Sequence, residues 1–350
     1  MNELKGIGIM SGSSLDGLDI SFCEYRLLDS KWDFTFLIGE TIPFDLDIFE
    51  GLQNARQLSG LALTELDIQL GIWIGRTVQD FCTRHQIDPD IIGSHGHTVF
   101  HQPAGQYSLQ IGNGQAIATH ASIPTICNFR SKDVIYGGAG APLVPIGDLA
   151  LFSEYDVLVN LGGIANLTIK NGVEIKAFDI APCNQVLNKI ANLVGLTYDH
   201  DGALALSGSM LNSWYEALSA IPYFKLKGPK SMSNEWVAEE IIAKLPNFAP
   251  KDMAYTFCQF VGGQLSQQLA DSQYEKILIT GGGAYNKGLV KAIEDSLGRN
   301  VIIPSPNIID FKEAIIFGFM AILKQRNETN VLKIVTGASR DTSAGILYLP

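Results

Sequence analysis

The chain has 350 residues, 46% hydrophobic and 17% charged, with a formal net charge of −11. That length allows one large or two ordinary domains around a substantial core, and the composition excludes disorder as the main state. The acidic balance argues against nucleic acid or an anionic membrane surface as a partner, and the longest apolar run, residues 314–323, is too short to span a bilayer.

Residues 6–25, GIGIMSGSSLDGLDISFCEY, predict a strand, a turn and a second strand. Ile7 and Ile9 alternate with Gly6 and Gly8. Leu18, Ile20 and Phe22 alternate with Asp19, Ser21 and Cys23, the period of a half-buried strand. The turn between Gly12 and Gly17 is small and hydroxylic. Such a turn can aim several backbone N–H groups at one point and cradle an anion. Ser11, Ser13 and Ser14 add hydroxyl donors, and Asp16 adds a carboxylate for a hydrated cation beside a phosphate. It is not a P-loop, because Leu18 stands where the lysine belongs and a strand follows. It is not a dinucleotide fingerprint, because no helix opens there. The alternative is an ordinary hairpin with a polar turn.

Residues 32–42 predict a third strand, and 45–58 and 64–86 predict helices. The second helix carries Leu66, Leu70, Trp73, Val78, Phe81 and Cys82 on roughly one face. Ile91 and Ile92 begin a buried strand that ends in a polar loop. A short strand at 108–111, a short helix capped near Asn113 and a strand at 123–127 follow. Residues 130–147 are rich in glycine and proline, which puts a lobe boundary near them. The second lobe repeats the plan. Its first two strands flank the turn glycines Gly162 and Gly163, and further strand structure runs to Ala177. Helices follow at CNQVLNKIANLVG and from Glu235 and Asp252. The strand KILI then runs into Gly281, Gly282 and Gly283 and opens a helix. Asn286 is its cap and Leu289, Ile293 and Leu297 are its apolar stripe. That N-terminus is a natural seat for phosphate or ribose. Residues 311–325 predict an amphipathic helix.

Several polar residues carry candidate chemistry. Asp179 ends the run IKAFD in an apolar collar, which raises proton affinity and suits a general base; the alternative is a capping aspartate for the next helix. Arg130, beside Asp133 in NFRSKD, can grip a carboxylate or a transferring phosphate, or form a hinge ion pair. His95, His97 and His101 are spaced as zinc ligands are, but no acidic residue or cysteine joins them locally, which argues against a metal site. Asp16, Asp19 and Asp201 are candidates for a hydrated Mg²⁺. The five cysteines, Cys23, Cys82, Cys127, Cys183 and Cys258, are scattered without C-x-x-C pairs. Together with an N-terminus that enters a strand at once, they predict a cytoplasmic protein with reduced thiols and no signal peptide.

The motifs together resemble the actin and hexokinase-type phosphotransferases. More narrowly they resemble the anhydro-N-acetylmuramic acid kinase family, through MSGSSLDGLD, IGSHGHTVFHQP, LQIGNGQAIA, NFRSKDVIYGGAGAPLVP, VNLGGIANLT, FDIAPCN, DGALALSG, ITGGGAYN, FKEAIIFGFMAIL and VTGASR. The resemblance implies an α/β fold of two ribonuclease-H-like lobes with an ATP cleft between them. Residues 1–130 with 310–350 would form one lobe and 131–309 the other. It implies an ATP- and Mg²⁺-dependent kinase of peptidoglycan recycling that opens the anhydro ring of an amino sugar and phosphorylates its 6-oxygen. Asp179 would be the base. Arg130, His97, Asp133 and Glu313 would contact the sugar. Gly12, Ser13, Ser14, Leu15, Asp16, Gly17, Leu18, Asp19, Gly162, Gly163, Gly281, Gly282 and Gly283 would hold ATP. The partners would be these small molecules, with a homodimer allowed. One departure matters: the family usually reads FDTGPGN where this chain has FDIAPCN. That keeps open a kinase for another amino sugar, or a nucleotide-dependent sugar-binding regulator.

Overall fold

A computed structural model describes residues 3–12, 15–171, 174–228, 230–270 and 274–350. Two compact units emerge: Met1–Phe152 with Phe311–Pro350, and Ser153–Asp310. Residues 131–152, assigned to the second lobe on sequence, lie within the first unit.

The chain opens with β1 (Glu3–Ser11), β2 (Leu18–Leu28) and β3 (Lys31–Ile42), then α1 (Leu46–Asn54) and α2 (Gly60–His85). Next come β4 (Ile91–Ser94), β5 (His97–Gln102), β6 (Tyr107–Ile111), α3 (Gly114–Ala121), β7 (Thr125–Cys127), α4 (Ser131–Ile135) and α5 (Pro145–Ala150). The second unit holds β8 (Val157–Leu161), β9 (Ile164–Asn171), β10 (Glu174–Pro182) and α6 (Asn184–Asn192). It continues with α7 (Ala203–Leu206), α8 (Asn212–Ala220), α9 (Pro222–Lys225), α10 (Asn234–Glu240), α11 (Pro250–Leu269), β11 (Ile277–Thr280) and α12 (Lys287–Leu297). From Phe311 onward α13 (Pro306–Gln325) belongs to the first unit, as do α14 (Lys333–Thr336) and β12 (Ile346–Tyr348).

The first sheet has the order β12-β7-β4-β1-β2-β3, with β1, β2 and β3 antiparallel and β4 parallel to β1. The second has the order β10-β9-β8-β11, again three antiparallel strands with β11 parallel to β8. The same four-strand plan therefore occurs twice, which is the duplicated ribonuclease-H-like architecture. Central strands sit between layers, so VLVNL and ILIT read as nearly unbroken apolar runs. In the first unit Ile7, Ile9, Leu18 and Ile20 meet Leu66, Leu70, Ile74 and Val78 of α2. In the second, Val157, Val159, Ile277 and Ile279 share a core with Val186, Phe257, Phe260 and Val261. No helix among the described residues is long and apolar enough to cross a membrane.

Two local expectations change. HTVFHQ, read as loop, forms β5 and pairs antiparallel with β6. The α13 helix is not amphipathic: Phe311, Ala314–Phe317 and Phe319–Leu323 are all buried. It lies against β1 and β4 because Gly8 and Gly93, register partners on those strands, have no side chains. A Cβ on Gly8 would run into the Ala314 carbonyl, and one on Gly93 into the Phe317 carbonyl. Gly8→Ala is therefore expected to destabilise the protein by ~1–3 kcal/mol through overpacking against helix backbone, read as a melting temperature lowered by several degrees. An unchanged melting temperature would contradict this close approach.

Candidate functional site

In the first unit the β1–β2 turn begins at Ser11, whose buried hydroxyl lies 3.1 Å from His97 Nδ1. The Leu15 N–H donates back to the Gly12 carbonyl at 3.4 Å. Asp16 is exposed on the turn. Gly17 packs against Thr41 and Ile42, and the Asp19 carboxylate accepts from the Thr41 hydroxyl at 2.6 Å. Leu18 is 0% exposed, so its side chain belongs to the core and only its backbone borders the turn. Ser13 and Ser14 lie outside the described residues.

Arg130 follows the sheet strand β7 and donates from three positions. Nε and Nη2 reach His95 Nε2 at 3.0 and 2.8 Å, and Nη1 reaches the Gly140 carbonyl at 2.6 Å. A guanidinium has five N–H groups. With three engaged, one N–H remains on each terminal nitrogen, a fork for a carboxylate or phosphate. Burial pushes the Arg130 pKa down to about 10, opposed by the charge of Glu313, so the group is cationic at neutral pH. The hinge ion pair is not formed: among the described residues no carboxylate lies within salt-bridge distance of Arg130.

His95 Nδ1 donates to the Gly96 carbonyl at 2.9 Å, which leaves Nε2 as the acceptor for Arg130. Burial, then the Arg130 charge, holds His95 well below its ordinary pKa and neutral. Burial also lowers His97, with Arg56 adding, and His101, with Arg130 adding. A zinc ion would have to displace a cation from the His95 lone pair. No metal-ligand cluster occurs among the described residues.

Asp133 does not present its carboxylate to a ligand. It is 0% exposed, accepts from the Gly140 N–H at 2.8 Å and from the Thr336 hydroxyl at 2.8 Å. It holds the left-handed Gly140 (φ 64°), whose carbonyl in turn fixes Arg130. The carboxylate is thus placed to support the Gly140 loop and Arg130, not at an open surface as the expected sugar contact would be. Glu313 is raised by burial; Arg130 and Lys312 oppose the shift, and Asp148 adds to it. Lys312 and Asp148 form a buried ion pair at 2.7 Å. Sequence reasoning missed this pair, since nothing in the local pattern links residues so far apart.

In the second unit the two glycine turns come together at the end of β8. The Gly162 and Gly163 carbonyls accept from the first N–H groups of α6: Asn184 N at 3.1 Å, and Cys183 N at 2.8 Å with Gln185 N at 3.3 Å. Gly281 has φ 79° and faces Asn160 and Leu161, and a Cβ on Gly283 would lie 2.6 Å from Leu161 Cβ. The Asn184 amide closes the arrangement by donating to the Leu161 carbonyl at 2.9 Å. Asn286 caps α12 through the Leu289 N–H, as its position predicts.

Asp179 sits on β10 opposite Asn166 of β9, where the register shifts between Asp179 and Ala181. Its Oδ2 accepts from the Met232 N–H at 2.8 Å and the Ser231 hydroxyl at 3.3 Å. It does not cap α6; the N-cap is Cys183, without a side-chain bond. Burial raises its pKa, and those two hydrogen bonds offset part of the rise. The segment that holds it is coil, and no sequence pattern points to it. Ile180, Ala181 and Cys183 are 1%, 0% and 0% exposed and belong to the core. The altered FDIAPCN side chains thus pack into the interior of the second unit. Asp201 is engaged in exposed pairs with Lys287 at 3.3 Å and His200 at 3.4 Å. Asp16, another of the carboxylates named for a hydrated Mg²⁺, lies at the surface of the β1–β2 turn.

The family model described as anhydro-N-acetylmuramic acid kinase matches residues 5–350. A curated relative of that name from Sulfurovum sp. (strain NBC37-1) is 32% identical, covering 100% of both chains. One from Francisella tularensis subsp. novicida (strain U112) is 33% identical, covering 97% of each. Among solved structures, the Acidaminococcus fermentans (R)-2-hydroxyglutaryl-CoA dehydratase component A aligns at TM-score 0.47 and 11% identity, over 92% of this chain and 99% of that one, too distant to carry an argument.

Proposed function

The chain belongs to the anhydro-N-acetylmuramic acid kinase family, and from that premise we propose that it opens the 1,6-anhydro ring of anhydro-N-acetylmuramic acid and phosphorylates the 6-oxygen at the expense of ATP. The observation that carries this is Asp179: a half-buried carboxyl of raised proton affinity, held by one oxygen at a strand bulge in the unit that also bears two glycine turns. Asp179 takes a proton from a water. The water oxygen bonds to the anomeric carbon, the bond from that carbon to the 6-oxygen breaks, and the 6-oxygen takes the γ-phosphoryl group as ADP leaves. Water that attacks without a base is a poor nucleophile, so a carboxylate matched to near-neutral pH is the required group.

Arg130 supplies its two remaining N–H groups to an oxyanion, either the lactyl carboxylate of the sugar or the moving phosphoryl group. His97 and Glu313 belong to the same sugar-facing set, with Asp133 behind them. The glycine turns at Gly12–Gly17, Gly162–Gly163 and Gly281–Gly283 hold the nucleotide. Asp16 would hold Mg²⁺ through water, and the ion would supply positive charge to the phosphates. The product, a 6-phosphorylated amino sugar, fits cytoplasmic recycling of peptidoglycan fragments.

FDIAPCN was the feature that favoured a different amino sugar. The side chains of Ile180, Ala181 and Cys183 are buried, which supports reading them as core changes and the anhydro sugar as substrate. The test is incubation with Mg·ATP and the anhydro sugar, followed by mass analysis. A product heavier by one water and one phosphoryl group is expected. Phosphorylation without added water, or nucleotide binding without product, would overturn the reading.

A further inference from the structure

The two oxygens of Asp179 are not equivalent. Oδ2 accepts from both the Met232 N–H at 2.8 Å and the Ser231 hydroxyl at 3.3 Å, while the Asp179 backbone N–H donates to the Lys230 carbonyl at 3.0 Å. Residues 230–232 therefore grip both the main chain and one side-chain oxygen of the bulged strand. Resting on the reading of Asp179 as base, we propose that Ser231 is its positioning residue: with the Met232 N–H it fixes Oδ2, which assigns Oδ1 as the oxygen that takes the proton of the attacking water.

The surroundings make this grip visible to titration. From α9, the Tyr223 hydroxyl donates to the Asp179 backbone carbonyl at 3.5 Å and is itself pushed up by burial and then by the Asp179 charge. Lys230 turns its Nζ away, onto the Tyr223 and Leu226 carbonyls at 3.2 and 3.1 Å and over the Tyr223 ring at 4.6 Å. Asn166, opposite on β9, carries no charge. Burial, opposed by the two hydrogen bonds, governs the Asp179 shift. A hydroxyl that donates to the carboxylate favours the ionised form, so its loss makes the base harder to ionise.

The experiment compares pH–rate profiles of the full-length enzyme and its Ser231→Ala and Ser231→Thr variants, using Mg·ATP and the anhydro sugar. Ser231 is exposed, so neither change touches the core. Activity needs Asp179 ionised, so it falls as pH drops through the Asp179 pKa. In Ser231→Ala that acidic limb is expected to move up by about half a pH unit, a roughly threefold loss of kcat well below the limb. KM for both substrates stays within about twofold, and Ser231→Thr restores the limb. An unmoved limb in an active Ser231→Ala enzyme would overturn the inference. So would a uniform loss at every pH that threonine does not repair, since that is the mark of a merely structural role. Turnover by Asp179→Asn would instead remove the premise, which separates the two failures.

Discussion

Asp179→Asn is expected to abolish measurable ring opening while leaving nucleotide binding intact. Asparagine keeps the shape and still offers Oδ1 as an acceptor, but an amide oxygen does not hold a proton at neutral pH. Loss of a positioned general base typically costs ~10²–10⁴ in rate. The upper end applies here, because water is the nucleophile. The change also removes a partly buried negative charge whose pKa is raised by burial. Folding should therefore be unimpaired, which makes loss of activity informative. Single-turnover assays beside ATP-binding titrations read both quantities. A variant that turns over at near wild-type rate would refute the assignment of Asp179 as base.

Arg130→Ala is expected to lower kcat/KM by ~10²–10³, the cost of losing a fork of charge-assisted hydrogen bonds at a reacting or anchoring anion. Its consequences run beyond charge. The Gly140 carbonyl loses the donor at 2.6 Å, and the His95 ring loses both of its donors. Glu313 loses the largest influence that opposes its burial-driven rise, so it becomes more readily protonated. Arg130→Lys retains the charge yet has one ammonium for positions that three guanidinium nitrogens fill, so recovery will be partial. The split between constants identifies the anion. A raised KM for the sugar marks the lactyl carboxylate, and a lowered kcat with unchanged KM marks the transferring phosphoryl group. A variant that moves neither constant would show that Arg130 is purely architectural.

Much of this was legible before any fold was known. The alternation of Ile7 and Ile9, and of Leu18, Ile20 and Phe22, marks the strand face that shares a core with α2, although the opposite face, with Ser21 and Cys23, is buried as well rather than solvated; the glycine clusters mark where strands end. Asn113 and Asn286 announced their helices because a cap is a local device, and both make the expected bond. What escaped was non-local. Asp133 lies three residues from Arg130 in sequence, yet its carboxylate serves Gly140 and Thr336, and only the folded loop reveals that. Ser231 and Met232 sit in coil with no periodicity, so nothing marked them as partners of Asp179. The α13 helix, expected to be amphipathic, is buried nearly all round. Lys312 is buried against Asp148, and a helix apolar nearly all round is an interior one. Cys183 looked like a change at the substrate. In the fold it is a core side chain whose thiol burial pushes up to about 12, an inert group.

The most direct measurement is a turnover in water labelled with heavy oxygen, with the label located in the product by fragmentation mass spectrometry. Activation of water by Asp179 predicts one heavy oxygen on the anomeric carbon and none in the 6-phosphate. Label in the phosphate, or a phosphorylated product with no label at all, would contradict it.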